Sequence, residues 1–206
     1  MIDLLKIGVL VSGNGSNLQA IIDRIEDGTL PARIACVISN KADAFALERA
    51  RRHGITTHIL DHRAHAGRES YDAALVELLT SHGVGLVVLA GFMRIVTPVL
   101  LGAFPHAVLN IHPALLPAFP GLHAQRQAVQ YGVKVSGCTV HFVDEGTDTG
   151  PIIIQAVVPV FDNDTEETLS ARIQKEEHRI YPEAINLFAQ GRLTVVGRKV
   201  VVAPAS

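Results

Sequence analysis

The sequence predicts an α/β fold, a three-layer, Rossmann-like doubly wound sheet that is mostly parallel and gains an antiparallel C-terminal extension. Three observations carry this. Short apolar, β-rich runs alternate with segments of helical period through the first half. Val84 to Ala90 is almost wholly apolar with no alternation, as a strand covered on both faces requires. Two strand-like runs, Val135 to Val143 and Ile152 to Val160, follow each other across a Gly/Asp/Thr-rich loop without an intervening helix, so they can pair antiparallel.

Leu5 to Ser12 is an apolar run ending in glycines, and Leu18, Ile21, Ile22 and Ile25 then recur at helical spacing, which makes strand, tight loop and helix. Ile34 to Ser39 is the next strand, Ala44 to His53 a helix, Thr56 to Leu60 a strand, and Glu69 to Thr80 a helix. Beyond Val84 to Ala90, a short helix at Pro98 to Ala103 leads to a strand at Ala107 to Ile111. The grammar then changes: Pro113, Pro117, Pro120 and Gly121 mark a loop before a helix near Ala124 to Tyr131. Asp164 and Glu167 have the spacing of a capping box, opening a helix that runs to about Gln190 and stops at Gly191. Thr194 to Val196 and Lys199 to Val202, separated by Gly197 and Arg198, read as a terminal hairpin, suited to covering a sheet edge or meeting a second subunit.

At 206 residues, with 48% hydrophobic and 18% charged residues, the chain reads as one folded domain with no repeat, low-complexity tract or dividing linker. A formal net charge of -2 supplies no basic field to draw it onto nucleic acid or an anionic membrane, so any anion site is local. Ile7 to Val11 is too short for a signal core or a membrane span. Cys36 and Cys138 lie in separate apolar runs and read as buried thiols rather than a disulfide, which suits a cytoplasmic setting.

Three places carry candidate chemistry. Gly13-Asn14-Gly15-Ser16-Asn17 sits where the first strand turns into a helix; glycines let backbone N–H groups approach an anion and the helix dipole favours it. The same string also reads as a plain tight turn with Ser16 as N-cap. A dinucleotide site fits less well, because the second strand ends in Ser39-Asn40 and not in an acid for a ribose diol. A Walker site fits poorly too, since no Gly-Lys-Ser/Thr follows, and a monophosphate fits better. Asn110 and His112 stand two apart at the carboxyl end of a predicted parallel strand, on one side of it, where such sheets place ligands. An amide that donates to a developing oxyanion and an imidazole that donates or shuttles a proton suit acyl transfer, and one such donor is worth about 10²- to 10³-fold in rate. Asn-x-His is equally able to be a structural pair. Asp148 lies in a loop whose three acids lack the ligand spacing of a calcium site; it is either a solvated turn former or the carboxylate that holds a nearby histidine charged.

The chain carries ten histidines, and most call for no special role. His53, His58, His62 and His65 do not follow a zinc pattern, His141 reads as a buried structural hydrogen bonder, and Arg51 with Arg52 as a solvated helix face.

Taken together, Ser12 to Ile22, Ser39 to Ala44, Leu89 to Ile95, Asn110 to Pro113 running into Leu115-Leu116-Pro117, Pro120 to His123, Val140 to Val143, and Glu177-His178 before Tyr181-Pro182 closely resemble the folate-dependent phosphoribosylglycinamide formyltransferase family, nearly along the whole chain. The resemblance implies an enzyme of de novo purine synthesis that moves a formyl group from 10-formyltetrahydrofolate to an amine, with no metal. It implies one formyltransferase domain: a nucleotide-binding half at about 1–105, a folate-binding and catalytic half at about 106–190, and a hairpin at about 191–206. It places the ribonucleotide on Gly15, Ser16, Asn17, Gly91, Pro113 and Glu177. The folate falls against Arg68, Met93, Arg94, Ile95, Val96, Asn110, Val143 and Asp148. Catalysis falls to Asn110, His112 and Asp148, the carboxylate keeping His112 protonated. Its partners are then small molecules, not nucleic acid or membrane, with a homodimer open.

Gln125 stands where some relatives have a basic residue or histidine, and Thr147 and Thr149 flank Asp148 where Leu and Gly are familiar, so the folate-side loop departs from the family pattern. Formyltetrahydrofolate hydrolase is similar around the same triad, and the resemblance implies methionyl-tRNA formyltransferase as another relative. The first is expected to carry an extra N-terminal domain, for which a strand starting near residue 5 leaves no room, and the second a basic C-terminal domain. A non-catalytic nucleotide or folate sensor would have no need of all three catalytic types.

Overall fold

The computed structural model describes residues 4–204; the ends of the chain, including the last two residues of the expected 191–206 segment, lie outside the described residues. These fall into two compact units, one up to Asn110 and one from Ile111.

The first unit alternates strands and helices in the predicted order: β1 (Leu5–Val11), α1 (Ser16–Glu26), β2 (Ala32–Ser39), α2 (Phe45–Arg52), β3 (Thr57–Ile59), a short 3₁₀ turn (His62–Ala64), α3 (Arg68–Ser81), β4 (Leu86–Leu89) and α4 (Pro98–Ala103), leading into β5 (Val108–His112). The strands lie side by side as β3-β2-β1-β4-β5, all parallel. From β1 the chain builds outward through β2 and β3, then returns to the other side of β1 for β4. That reversal puts a crevice at the carboxyl ends of β1 and β4, the place where open α/β sheets bind ligands. β1 buries five consecutive residues, Ile7 to Val11, and all of β4 is buried, so both faces of these strands are covered.

The second unit contains α5 (Ala124–Tyr131), β6 (Val135–Phe142), β7 (Ile152–Pro159), α6 (Glu166–Ala189), β8 (Leu193–Val196) and β9 (Lys199–Val202). β6 and β7 pair antiparallel, as their direct succession predicts. From Gln155 to Pro159, β7 alternates exposed and buried residues, the mark of a strand with one wet face. α6 packs on β6 and β7 through Leu169, Ile173, Ile180, Tyr181, Ala184 and Ile185. The β8–β9 hairpin turns at Gly197-Arg198, and β9 joins β7 in parallel at Ile152 and Lys199.

Two helix starts differ from the sequence reading. Ser16 is the first residue of α1 and not its cap; Gly15 caps it in the left-handed region, at φ 77°. A β-carbon on Gly15 would lie 2.6 Å from the Ala46 side chain and 2.8 Å from its Cα, so the loop turns under α2 where only glycine fits. At α6, Thr165 is the cap and Thr168 its partner, each side chain accepting the other's backbone N–H. Asp164 is engaged elsewhere, in a two-pronged ion pair with Arg172 and as acceptor of the Phe161 N–H.

Candidate active site

In the first unit the crevice at the strand reversal is organised by the Ser12 hydroxyl. It donates to Asn40 Oδ1 at 2.6 Å and accepts from the Met93 N–H at 2.9 Å, while the Ser12 N–H donates to the Gly91 carbonyl at 3.1 Å. One side chain thus ties the ends of β1, β2 and β4 together, and brings Gly91 (φ 74°) and Met93 beside the loop that leads to Gly15, Ser16 and Asn17. That loop is held from α2: the Ala46 N–H donates to the Gly13 carbonyl at 3.0 Å, and the Arg49 guanidinium grips Asn14 through both its carbonyl and Oδ1, each at 2.9 Å. No acidic residue stands in the first turn of α1, so no carboxylate of that turn opposes an anion at the helix start.

Past Gly91, Met93 and Ile95 expose apolar side chains and Val96 is buried. The Arg94 guanidinium stacks over Tyr71 at 4.9 Å from the ring centre. Arg94 and Arg68 both lie within electrostatic reach of Asp72, whose carboxyl accepts the Thr97 N–H at 2.5 Å; burial raises its pKa, against the pull of Thr97 and of both arginines. Exposed apolar groups beside two cations form a surface that can take a flat ring bearing a carboxylate tail.

In the second unit His112 and Asp148 come together. His112 Nδ1 is 3.2 Å from Asp148 Oδ2, with the side chains only 5% and 13% exposed, so their attraction is little screened by water. The Asp148 carboxylate also accepts the Gly121 N–H at 2.8 Å, and His141 Nε2 stands 3.7 Å from its other oxygen. Burial pushes the Asp148 pKa up, yet His141, Gly121 and His112 together outweigh it and hold the carboxyl below its ordinary range. For His112, burial dominates and lowers the pKa, while the Phe119 carbonyl, 2.8 Å from Nε2, and Asp148 push it back up. A carbonyl oxygen only accepts, so Nε2 carries a proton and Nδ1 faces the carboxylate. The two acceptors favour the imidazolium, and burial, the larger effect, opposes it.

The loop around Asp148 is braced. Asp148 sits at φ 55°, a left-handed conformation that aspartate tolerates. A β-carbon on Gly150 would collide with the Phe142 carbonyl, Asp144 Oδ1 accepts from the Gly146 N–H and the Thr149 hydroxyl, and the Thr149 carbonyl accepts from Arg198 in the terminal hairpin at 2.8 Å. Through its hydroxyl, Thr149 supplies a strap to Asp144 that a glycine at this position could not. Thr147 is exposed and Gln125 half-buried on α5.

Asn110, half-buried, precedes His112 by two residues on β5, so the strand directs both to one side. Pro113 and Val143 are half-buried, and Glu177 is buried on α6. Sequence reasoning missed the Phe119 carbonyl and Gly121 amide, which are backbone groups with no residue signature beyond the Pro-Gly turn. It also placed His141 near Asp148 without assigning it the carboxylate. Both cysteines are free and buried, with thiols pushed up to about 11 at Cys36 and about 12 at Cys138 by burial. Among the described residues no helix is long and apolar enough to cross a membrane, and no group of three or more metal-ligating side chains is clustered.

The sequence pattern of the formyl transferase family matches residues 5–185. The chain belongs to the formyl transferase family. Over 189 residues it is 51% identical to phosphoribosylglycinamide formyltransferase of Escherichia coli, covering 92% of this chain and 89% of that one. It is 46% identical over 188 residues to the enzyme of the same name from Haemophilus influenzae, covering 91% and 89%. Among solved structures, glycinamide ribonucleotide transformylase 1 from Symbiobacterium toebii superposes with a TM-score of 0.97 at 59% identity, covering 98% of this chain and 95% of that one. The family fold is thus the mixed α/β class expected, a mostly parallel sheet followed by antiparallel C-terminal strands. As a formyl transferase, the chain acts on small molecules.

Proposed function

We propose that this formyl transferase carries the formyl group of 10-formyltetrahydrofolate to the amine of N1-(5-phospho-D-ribosyl)glycinamide, in the cytoplasm, as a step of de novo purine synthesis. The observation that carries this reading is the buried His112–Asp148 pair, on the strand that bears Asn110, in a chain half identical to a phosphoribosylglycinamide formyltransferase. The glycine loop, with Gly91, Pro113 and Glu177, takes the ribonucleotide. Arg68, Met93, Arg94, Ile95, Val96 and Val143 take the folate, whose flat ring and carboxylate tail suit the exposed apolar and cationic groups there.

The bound folate supplies the formyl carbon. Asn110 donates its amide N–H to the formyl oxygen, and His112 donates a second hydrogen bond, as the substrate amine attacks and a new C–N bond forms. Asp148 steadies the charge on His112 while the tetrahedral centre lasts. The C–N bond to the folate then breaks, and its nitrogen receives the proton that the attacking amine releases, relayed by His112. The proton count closes within the two substrates, and the enzyme ends as it began.

Incubating the purified protein with 10-formyltetrahydrofolate, with and without the ribonucleotide, tests this. Deformylation that depends on the amine is the expected result. Release without the amine would instead identify a hydrolase, and no release in either case a binding protein.

A further inference from the structure

The glycine loop and its flanking asparagines carry no charge, yet the ligand proposed for it is a dianion. A cation that grips this loop is Arg49, which reaches it from α2. Its guanidinium fork holds both oxygens of Asn14, the residue just before Gly15, at 2.9 Å each, and reaches Gln19 Oε1 on α1 at 3.4 Å. The ring of Phe45 lies under it, 4.8 Å from centre to guanidinium carbon, which limits where the side chain can swing. Two hydrogen bonds to one residue, one on its main chain and one on its side chain, fix both the backbone and the rotamer of Asn14. That in turn sets the left-handed turn at Gly15 from which the amides of residues 15–17 are presented.

We propose that Arg49 is a positioning residue for the phosphate: it holds the glycine loop in its anion-accepting shape and lends it positive charge. This rests on the reading that Gly15, Ser16 and Asn17 bind the phosphate. A lysine could keep the charge but not the two-pronged grip, so charge and shape are separable.

The test compares wild type, R49M and R49K on the ribonucleotide and on the same glycinamide riboside without its phosphate. R49M is expected to raise KM for the ribonucleotide about tenfold, the effect of one charge-assisted hydrogen bond. It should leave kcat, the folate KM and the riboside kcat/KM within about twofold, with R49K intermediate. Equal losses on both substrates would mean Arg49 merely supports the fold, and no loss on either would mean it does nothing for the phosphate; each outcome overturns the proposal. If R49M does not fold, R49K carries the same comparison, and no selective loss of the ribonucleotide overturns it. Should wild type itself treat ribonucleotide and riboside alike, the phosphate reading of the loop fails. If wild type prefers the ribonucleotide and the Arg49 variants keep that preference, only the role of Arg49 fails.

Discussion

Asp148 shows how one side chain can be both a turn residue and a chemical one. Its left-handed backbone is a conformation that aspartate and asparagine share, and its carboxylate is tied to the Gly121 amide and to two imidazoles. Asp148→Asn therefore keeps the turn and the steric shape while removing the charge that opposes the loss of the His112 proton. The expected outcome is a fall in kcat of about 10²- to 10⁴-fold, the range of a lost acid–base partnership, with folate binding nearly unchanged. Steady-state turnover together with a folate titration checks it. Wild-type turnover in the variant would remove the carboxylate from the mechanism. The residue types of this site stood in the sequence, but their pairing did not. His112 and Asp148 are far apart along the chain, and only the family resemblance joined them before the fold did.

At the scale of elements, most of the architecture was legible because buried strands are apolar runs and amphipathic helices repeat at their own period. Helix starts were less so. Asp164 and Thr165 are both good caps, and nothing local says that Arg172, eight residues on, occupies the aspartate. Likewise, nothing in Gly15-Ser16 reveals that Ala46 leaves no room for a side chain at 15. The cap assignment at α6 has a measurable result. Thr165→Ala removes the acceptor for the Thr168 N–H and should destabilise the protein by about 1 kcal/mol in urea unfolding, whereas Thr165→Ser should be nearly neutral. Wild-type stability in the alanine variant would return the cap to Asp164.

The molecule as a whole has a pH range of greatest stability that its buried groups define. His58, half-buried with Nε2 2.8 Å from that of His82, and His112 both have pKa values lowered from 6.5, chiefly by burial. Unfolded, these rings take up protons near 6.5; folded, they resist until lower pH. Stability is therefore fully present above about 6.5 and is lost as pH falls toward the folded values, because the unfolded chain then binds more protons. Asp148 and the ion-paired Asp164, both lowered, add a second loss at still lower pH, below the ordinary 3.8 of a carboxyl. On the alkaline side the signs reverse. Cys36 and Cys138, raised to about 11 and about 12, keep their protons when the unfolded thiols lose theirs near 9, so stability falls again above that pH. The urea midpoint, followed at constant ionic strength, is expected to be highest between about pH 6.5 and 9 and to decline first on the histidine limb. His58→Gln removes one of the two rings and should shallow that limb between pH 5 and 6.5 while leaving the alkaline limb in place. A midpoint that does not change from pH 5 to 7 in the wild type would show that burial of these rings does not set the acid side.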